Sequence, residues 1–334
     1  MPTIRDVARR AGVGVATVSR VLNSSGYVSS ATRARVLQAV EELGYVPNRL
    51  ARGLRSKRTQ TLGLVLTDIT NPFWTTVARG VEDAASAKGF SVILCNTDES
   101  PEKEIAYVGL LLQKQVDGFL LVPARNTTES VEMVLARHVP LVVLDRRIPM
   151  TVDTVRCDSE GGAYALTRHL LDLGHRRIAV LGGPAQVSTT VDRVEGYRRA
   201  LDEAGVPFDP RLVAYSAFTQ ESGEAMARQM LESQPRPTAL FAVNNFIAMG
   251  ALRALRRMRL AVPKECSLVG FDDLPSALVP DPFLTVAAQP AYDMGVLAGQ
   301  RLIGRLEGTI TDPQSDIVLP TELVVRRSSG PAPS

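Results

Sequence analysis

The chain has 334 residues, 45% of them hydrophobic, which is enough to build two or three domains with sizeable cores. No uncharged apolar stretch reaches membrane-spanning length, and residues 1–30 contain no apolar run behind a basic start, so we expect a cytoplasmic protein with no membrane partner. The three cysteines are far apart and lack the paired spacing of a zinc or redox site. We therefore expect reduced cysteines and neither a metal nor a cofactor.

The charge is distributed unevenly along the chain. Residues 1–60 contain eleven Lys and Arg and three acidic residues, a formal charge of +8, whereas the rest contains 27 basic and 32 acidic residues, a formal charge of −5. A basic arm of this kind neutralises phosphates and gives an affinity that falls steeply with salt. The arm is predicted to bind nucleic acid, and the alternative is a basic solvated surface.

Two short helices joined by a tight turn are predicted at the start of the chain. Thr3 and Asp6 can form a capping box, and Gly12 can end the first helix in the left-handed conformation. The second helix is expected over about 15–23. The connection at 12–14 is too short for antiparallel packing, so the pair is typical of a helix-turn-helix unit, whose second helix lies in the DNA major groove.

A third helix and a weak basic segment complete this arm. The helix is predicted from about residue 29 to Gly44, with Val36 and Val40 facing the first two helices. Residues 47–60 then combine helical spacing with an interior glycine and a short length, so they should be largely unfolded alone in water. A segment that orders only on meeting DNA would be a hinge rather than an inert linker.

From residue 61 onward, short apolar runs alternate with longer amphipathic segments. This alternation indicates parallel sheets covered by helices on both faces, and its restart after Asp158 indicates a second domain of the same α/β design. The predicted strands are 62–66, 91–94, 118–122, 141–144, 178–181, a strand near 213, 239–242 and 267–270. The predicted helices are 73–88, 101–115, 128–138, one ending at 173, 192–204, and two ending at 233 and 258.

Several motifs together carry a family resemblance. On these motifs, the chain resembles the lac repressor and galactose repressor family of bacterial transcription regulators, especially its catabolite-control branch, from Thr3 to about Arg327. The one departure noted is Gly14, where the family usually has a serine cap, and glycine costs only a few tenths of a kcal/mol there. The motifs are Thr3–Ala8, Ala16–Asn23, Leu43–Asn48, Ala51–Leu54, Gln115–Gly118, Gly174–Arg176 and Gly270–Asp273.

The resemblance implies an α/β architecture in which a three-helix helix-turn-helix domain and a hinge helix precede a two-lobed core like that of periplasmic binding proteins. Three crossovers would join the doubly wound lobes. A disordered tail is expected at the end. Because this tail lacks the leucine heptads of a tetramerising bundle, dimerisation would use mainly the lobes. The expected boundaries are 1–46 for the DNA-binding domain, 47–60 for the hinge, 61–158 with 290–319 for the N-terminal lobe, 159–289 with 320–327 for the C-terminal lobe, and 328–334 for the tail.

The resemblance also assigns nine residues to DNA. Arg20 can pair in bidentate fashion with a guanine, whereas Val15 and Ala16 can offer only apolar contact to base edges. Leu54 stands where the family pushes a leucine into the minor groove and kinks the operator. In the full set, the residues that contact bases are Val15, Ala16 and Arg20, those that contact phosphates are Thr17, Ser19 and Asn23, and those that enter the minor groove are Asn48, Ala51 and Leu54.

Polar and aromatic residues follow the predicted strands and form the candidate effector site. Ligands bind at the carboxyl ends of strands in such sheets, and polar groups beside an aromatic plane suit a polyhydroxylated ligand. The resemblance implies direct contacts from Arg193, Asn244 and Asp272. Trp74 could instead pack at an interface, and Asp145 could be a cap or a hinge partner. The candidates are Phe73, Trp74, Asp145, Arg146, Arg193, Phe218, Asn244 and Asp272, with Asp68 and Asn71 close by.

The resemblance implies a homodimeric, ligand-responsive regulator, most often a repressor, on a near-palindromic double-stranded operator, with a sugar or sugar derivative as effector. We expect no catalysis, because the sequence has no nucleophile elbow, no phosphate-cradling loop and no metal-spaced histidine pair. Three alternatives stay open. They are a catabolite-control regulator governed by a phosphorylated carrier protein, an exported solute-binding protein, and a sugar-processing enzyme. An exported protein would need a signal peptide at the position where this chain has its DNA-reading arm.

Overall fold

The computed structural model describes residues 2–22, 25–45, 58–274, 279 and 281–333. The chain forms two compact units, Met1–Thr59 and Gln60–Ser334. Among the described residues, no helix is both long and apolar enough to cross a membrane. The predicted DNA contacts Asn23, Asn48, Ala51 and Leu54 lie outside the described residues, as does most of the predicted hinge. The finer domain boundaries stay a prediction.

The first unit contains three helices around a small apolar core. Thr3 caps the first helix by the predicted box, because its Oγ1 accepts from the amide of Asp6 while Asp6 Oδ2 accepts from the amide of Thr3. Gly12 ends this helix at φ 65°, in the left-handed region that glycine tolerates. Val7, Val18 and Val36 are fully buried or nearly so between the helices. The helices are α1 (Ile4–Ala11), α2 (Val15–Leu22) and α3 (Ser30–Glu42).

The N-terminal lobe is a six-stranded, parallel sheet with helices on both faces. Its strand order is β11-β5-β4-β3-β1-β2, so the order reverses beside β1. The central strands carry continuous apolar runs, as expected for strands buried on both faces. The elements are β1 (Thr61–Leu66), α4 (Pro72–Ser86), β2 (Ser91–Asn96), α5 (Pro101–Gln113), β3 (Gly118–Leu121), α6 (Glu129–Leu135), β4 (Leu141–Leu144) and β5 (Asp153–Cys157), joined later by α11 (Ala291–Glu307) and β11 (Asp316–Leu319).

The C-terminal lobe repeats this design with strand order β12-β10-β9-β8-β6-β7. All neighbouring strands are parallel except β12, which runs antiparallel to β10. The elements are α7 (Ser159–Asp172), β6 (Ile178–Gly182), α8 (Ser188–Glu203), a 3₁₀ turn (Pro210–Leu212), β7 (Val213–Tyr215), α9 (Gln220–Glu232), β8 (Ala239–Ala242), α10 (Asn245–Arg257), β9 (Ser267–Phe271), β10 (Thr285–Ala288) and β12 (Glu322–Val324).

The prediction of a disordered tail is wrong, because residues 328–333 pack on the C-terminal lobe. Ser328 is fully buried, its Oγ donates to the carbonyl of Leu268, and the amide of Thr285 donates to it. The carbonyl of Gly330 contacts His175, and the amide of Ala332 donates to the carbonyl of Leu173. These hydrogen bonds to neighbouring backbone hold the segment in place.

Several further elements differ from the sequence prediction, which did not name β10, β11, β12 or α11. The helix α8 begins one turn earlier than expected, at Ser188. Strand β5 was not predicted, because Asp153 and Arg156 interrupt its apolar pattern. Both are paired instead, Asp153 with Arg301 and Arg305, and Arg156 with Asp316. Charged residues in a strand are tolerated where such partners satisfy them.

Candidate functional site

The outer face of α2 carries the predicted base-reading residues. Val15, Ala16 and Arg20 are exposed, while Val18 and Val21 on the opposite face are buried. Thr17 and Ser19 are half-buried beside this face. An exposed apolar pair and a long guanidinium on a short second helix have the composition needed to contact thymine methyls and a guanine edge.

A second candidate site is a cavity of about 240 Å³ at the carboxyl ends of strands from both lobes. This volume is near the lower end of the roughly 300–1,000 Å³ usual for small-molecule sites. The N-terminal lobe contributes residues that follow β1, β2 and β4, and the C-terminal lobe contributes residues from α8 and from the ends of β7, β8 and β9. The lining is Asp68, Asn71, Phe73, Trp74, Asp98, Glu99, Asp145, Arg146, Thr189, Arg193, Ala217, Phe218, Thr219, Asn244, Phe246 and Asp272.

Arg146 is buried against the N-terminal lobe and is bound on several sides. Its Nη1 and Nη2 donate to the two carboxylate oxygens of Glu99 at 2.7 and 2.6 Å. Nη1 also donates to the carbonyls of Pro123 and Ala124. Burial lowers the pKa of Arg146, but Glu99, Asp145 and Glu104 together outweigh burial and raise the pKa above its usual value. The guanidinium also lies 5.7 Å from the ring centroid of Phe218 in the other lobe, within the range of a cation–π contact.

Arg193 occupies the C-terminal side of the cavity. Its guanidinium lies over the ring of Phe271 at 3.9 Å from the centroid, and its Nη1 and Nε donate to the carbonyl of Val243 and to Ser159 Oγ. Burial raises the pKa of both Asp145 and Asp272, and the positive charge of Arg193 opposes that shift at each carboxyl. Arg193 therefore lies within electrostatic reach of an aspartate from each lobe.

Two polar atoms on consecutive residues have no partner among the described protein groups. They are Oδ1 of Asp145 and Nε of Arg146, both fully shielded from solvent. Buried polar atoms are normally hydrogen-bonded, so these two leave an acceptor and a donor unmet in residues that line the cavity. The aromatic rings of Phe73, Trp74 and Phe218 provide apolar surface beside them.

Direct contacts join the two lobes around the cavity. Asn71, the N-cap of α4, and Asn245 of α10 exchange two side-chain hydrogen bonds of 3.1 and 2.8 Å. The amide of Arg147 donates to Ser188 Oγ, and the side chain of Arg147 pairs with Asp192. These contacts are few and polar, so their rearrangement could accompany a change in the angle between the lobes.

All eight predicted effector residues line this cavity, as do Asp68 and Asn71. Trp74 is also buried in the N-terminal core against Phe73, so it combines packing with a place on the wall. Asp158 lies outside the lining. It caps α7 through the amide of Gly161, and its own amide bonds Leu319, as expected for a residue that braces the crossover.

Sequence reasoning missed six lining residues. Two of them, Asp98 and Glu99, directly follow β2, and Phe246 comes two residues after Asn244. The rule that strand ends form the site would have found these three. The other three, which sequence reasoning also missed, are Thr189, Ala217 and Thr219.

Two family comparisons cover the two units. Residues 3–48 match the family described as bacterial regulatory proteins, lacI family, and residues 59–318 match the periplasmic binding proteins and sugar binding domain of the LacI family. The chain belongs to the LacI family. It is a transcriptional regulator with a helix-turn-helix DNA-binding domain and a sugar-binding domain of the periplasmic-binding-protein type.

Relatives of this LacI-family regulator match it along nearly their whole length. Catabolite control protein A of Priestia megaterium is 37% identical over 98% of this chain and 99% of its own length. A structure described as a transcriptional regulator CelR–cellobiose complex is 37% identical, with a TM-score of 0.75, over 98% of this chain and all of that chain. The structure of the lac repressor dimer bound to operator and the anti-inducer ONPF is 28% identical, with a TM-score of 0.87, over 98% of this chain and 99% of that chain. These relatives are regulators and not enzymes.

Proposed function

We propose that this regulator is a homodimeric repressor whose affinity for a near-palindromic operator is controlled by a sugar or sugar derivative in the interlobe cavity. The observation that carries the proposal is the cavity wall, where ionisable side chains lie beside aromatic rings, namely Asp145, Arg193 and Asp272 beside Phe73, Trp74 and Phe218. A sugar hydroxyl both donates and accepts, while the apolar face of a sugar ring packs on an aromatic side chain. The cellobiose complex of a 37% identical regulator supports the same ligand class.

On the DNA side, each subunit would read one half-site. Arg20 would pair with a guanine while Val15 and Ala16 contact base edges, and Thr17, Ser19 and Asn23 would hold phosphates. Asn48, Ala51 and Leu54 would enter the minor groove at the operator centre, with one leucine from each subunit kinking the duplex. The complex of the related lac repressor dimer with its operator supports this arrangement.

The two sites would be coupled through the angle between the lobes. A ligand that binds one arrangement of the lobes better than another shifts the population toward it, and this would change how readily the two hinges order on DNA. The coupling is reciprocal, so operator DNA should change sugar affinity by the same factor that sugar changes operator affinity. No turnover of the ligand is needed for this role.

The test is to select bound fragments from genomic DNA with the full chain and then titrate sugars into the complex. We expect one fragment class to bind well above random duplex at physiological salt, and at least one sugar to change that affinity about 5- to 150-fold. The proposal would be wrong if selected operator were bound normally but no sugar changed its affinity. A response only to a phosphorylated carrier protein would favour the catabolite-control alternative instead.

A further inference from the structure

The charged residues of the cavity wall are mainly acidic. Among the described lining residues, five are acidic (Asp68, Asp98, Glu99, Asp145 and Asp272) and two are basic (Arg146 and Arg193). Lys103 adds one positive charge next to the wall by pairing with Asp98. The formal charge of this group is −2, or zero if both buried aspartates are neutral. In neither state does the wall have surplus positive charge for an anionic ligand.

The guanidinium of Arg146 is already matched to a carboxylate of the protein. Glu99 takes the bidentate position that a phosphate would need, and the buried Glu104 adds a second negative charge within electrostatic reach. Glu104 also holds the loop beside Arg146, because it accepts from the amide of Ala124 and from Ser130. An anionic ligand could take the bidentate position on Nη1 and Nη2 of Arg146 only by displacing Glu99.

Two of the three guanidinium nitrogens of Arg193 are also already engaged by the protein. One face of its guanidinium is covered by Phe271, and two of its nitrogens donate to Val243 and Ser159. The carboxyls of Asp145 and Asp272 lie within electrostatic reach on the cavity side. An added phosphate or carboxylate would meet these two acidic groups at short range, and like charges at such distances repel strongly.

The polar residues of the wall instead suit a group that donates as well as accepts. The carboxyls of Asp145 and Asp272 can accept, whereas the guanidinium of Arg193 donates. A hydroxyl meets both needs, whereas an ionised phosphate or carboxylate can only accept.

We propose that the cavity selects an uncharged polyhydroxylated ligand over its phosphorylated or acidic derivatives, and that Glu99 enforces this selection by occupying the guanidinium of Arg146. The inference rests on the proposed function, since it concerns the ligand class of the same cavity. It gives Glu99 the role of a specificity-determining residue, which the sequence did not indicate.

The first experiment measures selectivity by calorimetric titration of the full chain with matched sugars. The pairs are D-ribose with D-ribose 5-phosphate, D-glucose with D-glucose 6-phosphate, and D-glucose with the similarly sized D-glucuronate, together with cellobiose. We expect every uncharged sugar that binds to exceed its charged partner by at least about 10-fold, the size of one charge-assisted hydrogen bond. Tighter binding of a charged partner would overturn the inference.

The second experiment changes Glu99 itself. Glu99→Gln should free the guanidinium of Arg146 and raise the affinity for the phosphorylated sugar, relative to the affinity for the uncharged sugar, about 10-fold or more. Glu99→Asp keeps the carboxylate and should keep the selectivity. Glu102→Gln is the matched control, because it removes the same charge from an exposed residue outside the lining and should leave selectivity unchanged.

The outcomes separate the two proposals. If a phosphorylated sugar binds the unaltered protein best, the sugar site stands and the selectivity inference falls. If Glu99→Gln folds, as judged by its melting curve, but gains no affinity for phosphate, Glu99 is not the selecting residue. If Glu99→Gln does not fold, Glu99→Ala is measured instead, and unchanged selectivity in that variant would overturn the role of Glu99. If no sugar in either form binds while operator binding is intact, the proposed sugar site falls, and the inference falls with it.

Discussion

Asp145 and Asp272 occupy equivalent positions in the two lobes. Each directly follows the fourth strand of its sheet counted from the same edge, β4 or β9, and each is buried with a left-handed backbone, at φ 62° and 68°. The amide of each donates to the neighbouring strand, to Val155 at 2.9 Å and to Ala287 at 3.1 Å. This conformation is costly for a residue other than glycine, and it turns a carboxyl from each lobe into one cavity.

Arg193, which lies near both carboxyls, should be required for the sugar response. Arg193→Ala is expected to weaken sugar binding about 100-fold, because it removes a buried cation facing two acidic groups, while operator affinity without sugar is retained. Calorimetry with the sugar and gel-shift titration with operator DNA measure the two effects. The control is Arg198→Ala, which removes an exposed arginine from the same helix. A normal sugar response in Arg193→Ala would place the site elsewhere.

Leu54 should bend the operator. Leu54→Ala is expected to lower specific operator affinity by about 10-fold or more and to reduce the bend, because the smaller side chain cannot wedge between base steps, while sugar affinity is unchanged. Fluorescence transfer between the ends of an operator fragment measures the bend. Leu37→Ala changes an exposed leucine of the DNA-binding unit and should affect neither quantity. If the operator is bent equally by Leu54→Ala and by the unaltered chain, Leu54 does not act as a wedge.

Asp153 should stabilise the N-terminal lobe through its arginine partners. Burial raises the pKa of Asp153, but Arg305, the amide of Ser315 and Arg301 outweigh burial and hold the pKa below its usual range. Asp153→Asn is therefore expected to lower the free energy of unfolding by about 3 kcal/mol, since two arginines lose a buried partner. The pair of Arg156 and Asp316 supplies the control, because Asp316 is exposed and Asp316→Asn should cost at most about 1 kcal/mol.

The same ion pairs predict an acid limit for the N-terminal lobe. A carboxyl whose pKa is depressed in the fold contributes stability above its unfolded pKa and loses it as the pH falls through the folded value. The contribution of Asp153 should be complete above about pH 4 and disappear in stronger acid. Denaturant unfolding at pH 7 and at progressively lower pH measures the free energy of unfolding. As the pH falls, this free energy should decrease less for Asp153→Asn than for the unaltered chain. Equal losses would contradict this role.

The C-terminal segment should stabilise the lobe on which it packs. Removing residues 328–334 is expected to cost about 2–4 kcal/mol, because Ser328, Gly330 and Ala332 make several backbone and buried hydrogen bonds at about 1 kcal/mol each. Chemical unfolding measures this cost, and removal of Ser334 alone is the control. A truncated chain of full stability would mean that these hydrogen bonds contribute nothing.

His175, which contacts this segment, should make the C-terminal lobe sensitive to mild acid. Burial lowers the pKa of His175, although the carbonyl of Gly330 opposes the shift. The unfolded chain therefore takes up a proton first, and stability falls as the pH drops below about 6.5 toward the folded pKa. The melting temperature should be lower at pH 5.5 than at pH 7.5, and His175→Gln should show a smaller difference. The control is His138→Gln, which replaces an exposed histidine and should show the same difference in melting temperature as the unaltered chain.

Much of the cavity followed from one rule applied to the sequence. The apolar runs that became β1, β4, β8 and β9 were visible, and the polar residues after them had to meet at one end of each sheet, because parallel strands share their carboxyl edge. The bidentate pairing of Glu99 with Arg146 was not visible, since the two residues are 47 positions apart and their distance depends on two loops. The polar strand β5 and the ordered tail were missed for the same reason.

By itself, the sequence determined the elements whose causes are local. Capping at Thr3, the left-handed Gly12, the basic arm and the alternation of strands and helices depend on residues a few positions apart, so pattern and propensity were sufficient. Only the tertiary structure decided which charges are already neutralised, which buried atoms lack a partner, and that Ser328 is buried rather than mobile. Those properties depend on distances between residues far apart in the chain, and the selectivity of the cavity for an uncharged ligand depends on them.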